Sequence, residues 1–372
     1  MVFPTQPDPA ASAGQPFPTA PVPADGPPLP SDTVPAAAVR VATAGEALFD
    51  LIEEADGRLR PCAGGAVYNL TRALGLQGVG TAYLNPLSSD LLGRRLAEGL
   101  RGAGVRLADP VPVRAPSALA LATLDAEAKA SYSFYRDGVA DRQVDAARLN
   151  AACAALPGLQ VVATGCLALV AQDAGIYQPW LAAQRAAGRM VVVDANLRLS
   201  AVDDAPAYRA NVMAALQQAD LIKVSDDDLE ALAVPGASAL ERARTLLQHT
   251  SAQWLALTLG PGGAWLLQRD GVGLHAQEAT PLAVVDTVGA GDCFLAGLVT
   301  ALLAGPGRGE DALAPRPGGL ATPLAQDRLR RVLQHALASA SHCVEQAGCT
   351  PPRYEDVARR LASRPLAAAP QS

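Results

Sequence analysis

Between about residues 160 and 260 the chain alternates between two patterns of apolar positions. Short apolar runs at 161–164, 190–194, 221–225 and 254–258 read as strands. Segments 171–187, 205–218 and 238–249, whose apolar residues recur every three to four positions, read as helices. Near-continuous apolar strands separated by helices predict a parallel sheet covered on both faces. Such sheets receive ligands at the carboxyl ends of their strands. The earlier part of the chain behaves differently. Residues 118–124 and 131–135 alternate, with a polar turn at 125–129, which predicts a hairpin. Residues 39–50 read as a first strand, and 284–286 as another. From Phe294 the apolar residues fall at 294, 295, 298, 299, 302 and 303, which is helical spacing, and 326–345 is the last long helix.

Composition narrows the function. The 372 residues suffice for one large α/β domain or two ordinary ones, and half of them are hydrophobic. A net charge of −6 argues against a nucleic-acid partner, which would need a basic face. Lys129 and Lys223 are the only lysines, so a phosphate loop ending in Gly-Lys-Ser/Thr is absent. The six cysteines show no C-x-x-C pair and no zinc spacing, which predicts free thiols in a reducing cytoplasm. No apolar run reaches the ~18–20 residues needed to cross a membrane, and the N-terminus lacks the pattern of a signal peptide. Residues 1–37 hold 11 of the 30 prolines and predict a disordered tail. The Gly/Pro-rich segment 305–322 predicts a surface loop, and 364–372 a frayed end.

Chemistry concentrates in one stretch, Val284 to Phe294, which reads as strand, glycine turn and helix start. The first N–H groups of a helix are unpaired and carry the positive end of its dipole, so they suit an anion. Gly289 and Gly291 allow close approach of the backbone to a phosphate. Asp292, at the lip of that site, is either a helix cap or a base that accepts a proton from an attacking hydroxyl.

The run Asp286-Thr287-Val288-Gly289-Ala290-Gly291-Asp292 resembles the D-T-x-G-A-G-D signature of the ribokinase/fructokinase (PfkB) family of carbohydrate kinases. It excludes a dinucleotide fingerprint, because Phe294 stands where G-x-G-x-x-G needs glycine. The resemblance implies that Asp292 is the catalytic base and that the amides of Gly289, Ala290 and Gly291 hold the transferred phosphate. Further stretches are similar to the family's. Gly45 to Asp50 matches G-E-x-x-x-D, implying that Asp50 binds sugar hydroxyls. Gly64, Gly65 and Asn69 match G-G-x-x-x-N, also against the sugar. Asp90 and Gly93 keep G-x-D-x-x-G, although Ser88 replaces a glycine. Tyr135-Arg136 resembles fructokinases and 2-keto-3-deoxygluconate kinases, and puts Arg136 on the substrate; read alone it is a solvated edge residue. Asn196 and Arg198 resemble D-P-N-x-R with Ala195 in place of proline, and Asp286 completes the implied sugar site.

On the nucleotide side, Lys223, Ser225 and Asp228 occupy the family's N-x-x-E position; read alone, the acidic run is a solvated helix start. Thr258, Gly260 and Gly263 resemble the turn along ATP. Ser339 stands where relatives have Asn beside the adenine. The implied fold is a ribokinase-like three-layer α/β/α domain over 38–363, with a mostly parallel sheet and a small β lid drawn from about 51–62 and 105–136. The implied reaction is phosphorylation of a sugar by ATP with Mg²⁺. Fructose leads and 2-keto-3-deoxygluconate follows. The family resemblance also allows K⁺ near the Asp286 loop and a homodimer through the lid. A silent sugar-binding relative is the non-enzyme alternative, and a nicotinamide oxidoreductase lacks its fingerprint here.

Overall fold

The computed structural model describes residues 35, 38–54, 56–124, 130–304, 323–364 and 366–370. The hairpin turn at 125–129, the insertion at 305–322 and, apart from residue 35, the tail at 1–37 lie outside them. In chain order the strands are β1 Val41–Thr43, β2 Leu48–Glu53, β3 Leu59–Gly64, β4 Thr81–Tyr83, β5 Arg106–Leu107, β6 Ala118–Leu124, β7 Ala130–Tyr135, β8 Val161–Gly165, β9 Met190–Asp194, β10 Leu221–Ser225, β11 Trp254–Thr258, β12 Ala264–Gln268, β13 Gly273–Gln277 and β14 Ala367–Pro370. The helices are α1 Ala66–Leu76, α2 Leu91–Gly102, α3 Ala146–Ala154, α4 Ala174–Ala186, α5 Ala205–Leu216, α6 Asp226–Ala231, α7 Ala239–His249, α8 Ala290–Leu303, α9 Gln326–Val344 and α10 Tyr354–Ser363.

The large sheet runs β14-β13-β12-β11-β10-β9-β8-β1-β4-β5. It is parallel from β5 to β11 and antiparallel over β12, β13 and β14. Successive residues of a strand face opposite sides, and both sides are covered. Met190 and Val192 pack with Leu70 of α1, Phe294 of α8 and Val332 of α9. Val191 and Val193 pack with Leu149 of α3, Trp180 of α4, Val212 of α5 and Leu246 of α7. This is the expected three-layer α/β/α arrangement. The order reverses at β1, between β8 and β4, and an open α/β sheet leaves its crevice at such a switch point.

A second sheet, β3-β2-β6-β7, forms the lid. Three boundaries differ from the sequence reading. The expected first strand at 39–50 is two strands in two sheets, because the backbone turns at Gly45 (φ 153°), where a Cβ would lie 2.5 Å from Val67. The lid therefore starts at Leu48, and residues 105–117 fall outside its strands, Arg106–Leu107 pairing with β4 at the edge of the large sheet. The C-terminal segment expected to fray includes β14, which pairs with β13, and Leu366 before it is buried in the core. Among the described residues no helix is long and apolar enough to cross a membrane.

Candidate active site

Val284 and Val285 do not form the expected strand. They are exposed, and the N–H groups of Val285 and Asp286 both donate to the Val344 carbonyl at the end of α9, at 2.8 and 3.2 Å. Neither residue lies in a strand, and the pair carries the chain across the end of α9. The turn that follows is as expected. Gly289 adopts φ +79° before α8, a left-handed conformation that disfavours any side chain. No side chain caps the helix, so its positive end is left for a ligand. Gly289 and Gly291 line a cavity of about 330 Å³. Ala290 does not join them. The turn closes on itself, and the Ala290 N–H donates to the Thr287 carbonyl at 3.2 Å.

Asp292 lies in the first turn of α8, at the bottom of this cavity and only 7% exposed. Burial raises its pKa to about 7, and the neighbouring Asp194 adds to the rise. Asn69, Lys223 and Arg198 oppose it, Asn69 Nδ2 donating to Asp292 Oδ2 at 2.9 Å. Among the described residues, Asn69 Oδ1 is buried without a partner. Lys223, in the middle of β10, donates to both oxygens of Asp194, at 2.8 and 3.1 Å. A Cβ on Gly291 would stand 3.1 Å from Lys223 Nζ, so this buried pair packs directly under the anion turn.

The lid closes the cavity from above. Alternation along β2 turns Leu48, Asp50 and Ile52 toward it. Asp50 is pushed up to about 6 by burial, against the pull of Arg198. Gly64 makes this position available: a Cβ there would lie 2.1 Å from Asp50 Oδ2. Gly65, Asn196, Arg198 and Asp286 also border the cavity. Asn196 holds a left-handed φ of +35°, a strained choice for a residue with a side chain. Asp286 accepts the N–H of Val288 on one oxygen and of Gly348 on the other, both at 2.9 Å, which fixes the loop's shape.

Sequence reasoning missed Glu46. It is 1% exposed, lines the cavity, and accepts the Ala66 N–H at the start of α1 at 2.9 Å. Its Oε2 has no partner among the described residues, and burial pushes its pKa to about 7. A carboxylate inside an otherwise apolar stretch was the available signal, because such a group is costly to bury without a reason.

Several expected residues lie elsewhere. Arg136 leaves the strand alternation because β7 ends at Tyr135. Its guanidinium donates to the Leu167 carbonyl at 3.0 Å and approaches Asp141 at 3.7 Å. It borders a different, open depression with Tyr135 and Arg142. Ser225 and Asp228 form a capping box at α6, with the Ser225 and Leu197 N–H groups donating to the two Asp228 oxygens at 2.8 Å. Thr258 donates to the Val224 carbonyl at 3.5 Å, and Gly260 opens a single helical turn before Gly263. Ser339 does not face any groove. Fully buried between α8 and α9, it donates to the His335 carbonyl at 3.0 Å and accepts from Gln77 at 3.2 Å. It stands on α9, and the helix turns it inward, against Gly297.

The sequence matches the family model for pfkB family carbohydrate kinase over residues 39–356. It is 30% identical over 270 residues to a fructokinase of Rhizobium leguminosarum bv. trifolii, covering 70% of this chain and 79% of that protein. It is also 30% identical over 281 residues to fructokinase-1 of Oryza sativa subsp. japonica, covering 73% and 85%. In fold, it is similar to a fructokinase from Xylella fastidiosa with bound ATP, with TM-score 0.71, 24% identity and coverage of 88% of this chain and 99% of that one. An aminoimidazole riboside kinase from Salmonella enterica, complexed with aminoimidazole riboside and an ATP analog, gives TM-score 0.69 at 23% identity, covering 87% and 99%.

Proposed function

The chain belongs to the pfkB family of carbohydrate kinases, and we propose that it transfers the γ-phosphate of ATP to a hydroxyl of fructose. The observation that carries this reading is the pair of buried acceptors without partners, Asn69 Oδ1 and Glu46 Oε2, beside the cavity that Asp292 floors. Orphaned acceptors call for hydroxyl donors, which a sugar supplies in number. Asp50, Asn196, Arg198 and Asp286 would hold the remaining hydroxyls, with Gly64 and Gly65 giving the ring room.

In this reading the Asp292 carboxylate takes the proton of the attacking hydroxyl. The new O–P bond forms as the bond from the γ-phosphorus to the β-phosphate oxygen breaks, and ADP leaves. The N–H groups of Gly289 and Gly291 hold charge on the phosphoryl oxygens. ATP would approach along Thr258, Gly260 and Gly263, past Lys223. Mg²⁺ neutralises charge on the β- and γ-phosphates when bound. Asp194 is engaged by Lys223 and Asp228 by two amides, so the phosphates and water rather than a protein cage would hold it. K⁺ beside the Asp286 loop rests on the family resemblance. A homodimer through the lid is supported by the exposure of Leu59 and Tyr135 there, and a cytoplasmic location by the six free thiols.

Fructose is favoured over 2-keto-3-deoxygluconate because the latter rests on Tyr135 and Arg136, which border the other depression. The test is ADP release from ATP over a panel of sugars. Fructose should give the highest kcat/KM. A different preferred sugar would overturn the substrate, and no turnover with any sugar would overturn the reaction.

A further inference from the structure

Three cysteines from separate elements meet behind the anion turn. Cys293 follows Asp292 in α8, Cys343 lies in the last turn of α9, and Cys349 sits in the loop beyond it. Their sulfur atoms all lie within 4.8 Å of one another. Cys293 and Cys343 are buried, and Cys349 reaches the rim of the cavity. Cys349 fills the space left by a missing side chain: a Cβ on Gly289 would lie 2.2 Å from its sulfur. The Val288 carbonyl lies 3.5 Å from the Cys343 sulfur, an oxygen donor at the same place.

Thiols are weak hydrogen-bonding groups, so three of them converging on one point gain little from each other. A metal ion binds the thiolate form, and three sulfurs meeting at one point offer it three ligands at once. In a tetrahedral site with metal–sulfur bonds of ~2.3 Å, the sulfurs stand roughly 3.8 Å apart. Sulfurs already within 4.8 Å need to move by only about 1 Å to reach it. The spacing along the chain hid this arrangement, because one ligand comes from a helix some fifty residues before the others.

We propose that Cys293, Cys343 and Cys349 form a binding site for one soft d¹⁰ metal ion of the Zn²⁺ or Cd²⁺ kind, with an oxygen in the fourth position. Soft thiolate ligands select such ions over Mg²⁺, so the site is chemically distinct from the phosphate chemistry on the other side of the turn. Binding displaces the S–H protons and ties the loop after α9 to the first turn of α8.

The test uses the full chain, reduced and freed of metal with a chelator, then titrated with Cd²⁺. A near-ultraviolet sulfur-to-cadmium band should saturate at one equivalent with the intensity of three thiolates. Cys349→Ser should cut the band to two thiolates and weaken binding by at least about tenfold. Cys153→Ser, far from the cluster, should change neither. A second measurement needs no variant: one equivalent of Cd²⁺ should slow alkylation of Cys349 by iodoacetamide while Cys62 reacts at its former rate. No band at one equivalent, an unchanged band in Cys349→Ser, or equal slowing at both cysteines would overturn the proposal.

Discussion

The two sides of the cleft are built on different principles. On the side proposed for the sugar, polar groups sit buried in tension with their surroundings. Asp292, Asp50 and Glu46 all have pKa values raised by burial, and two acceptors have no partner. On the side proposed for the nucleotide, the polar groups singled out by motif are at rest. Ser225 and Asp228 satisfy each other, Thr258 reaches a strand carbonyl, and Ser339 is sealed between helices. Groups held in an unfavourable state are the ones a ligand can relieve. Groups already satisfied define shape, and a nucleotide lying along them would meet mainly backbone.

Substitutions can break that contrast, and Asp292→Asn carries the largest expected effect. The amide keeps the size and can accept from Asn69, but it cannot take a proton, so kcat should fall by on the order of 10²–10⁴ with both substrates still bound. If Asp292 were only a buried partner of Asn69, turnover would stay near wild type. Asp50→Asn comes next: sugar KM should rise by roughly 10–100-fold, the cost of about 1.5–3 kcal/mol for a charged hydrogen bond, while ATP KM holds. Parallel loss for both substrates would make Asp50 a packing residue.

The nucleotide side should respond through stability. Ser225→Ala removes a cap worth about 1 kcal/mol, so Tm should drop by a few degrees with kcat within about twofold of wild type. A large rise in ATP KM would show that the serine touches the nucleotide after all. The smallest effect belongs to Ser339→Ala, which should leave ATP KM unchanged, since no part of Ser339 is accessible. A clear change in ATP KM would mean that α9 rotates on binding.

The sequence revealed what depends on backbone spacing and concealed what depends on direction. The turn at Gly289–Asp292 and the pair Gly65 and Asn69 were legible because glycines at fixed offsets state where a backbone must bend or come close. The parallel sheet was legible from its apolar runs. The strand expected at Val284–Val285 failed because a β-branched run reads the same whether or not a sheet edge is available to it. Arg136 and Ser339 stand at the expected places along the chain, yet a nearby carboxylate and carbonyl capture one, and helix packing captures the other. Glu46 left a local trace as a carboxylate in an apolar stretch, but the Lys223–Asp194 pair depends on long-range approach, which no local pattern records.

The most direct test of the central claim, that a buried Asp292 is the proton acceptor, is the pH dependence of kcat/KM, which reports the free enzyme. Burial raises the carboxyl to about 7. Below that pH it is protonated and cannot accept, so activity should rise with pH through a midpoint near 7 and level off above. The midpoint should survive in Glu46→Gln, which removes the other group raised to about 7. A profile flat from about pH 5 to 8, or a midpoint in the usual Asp range near 4, would contradict the account.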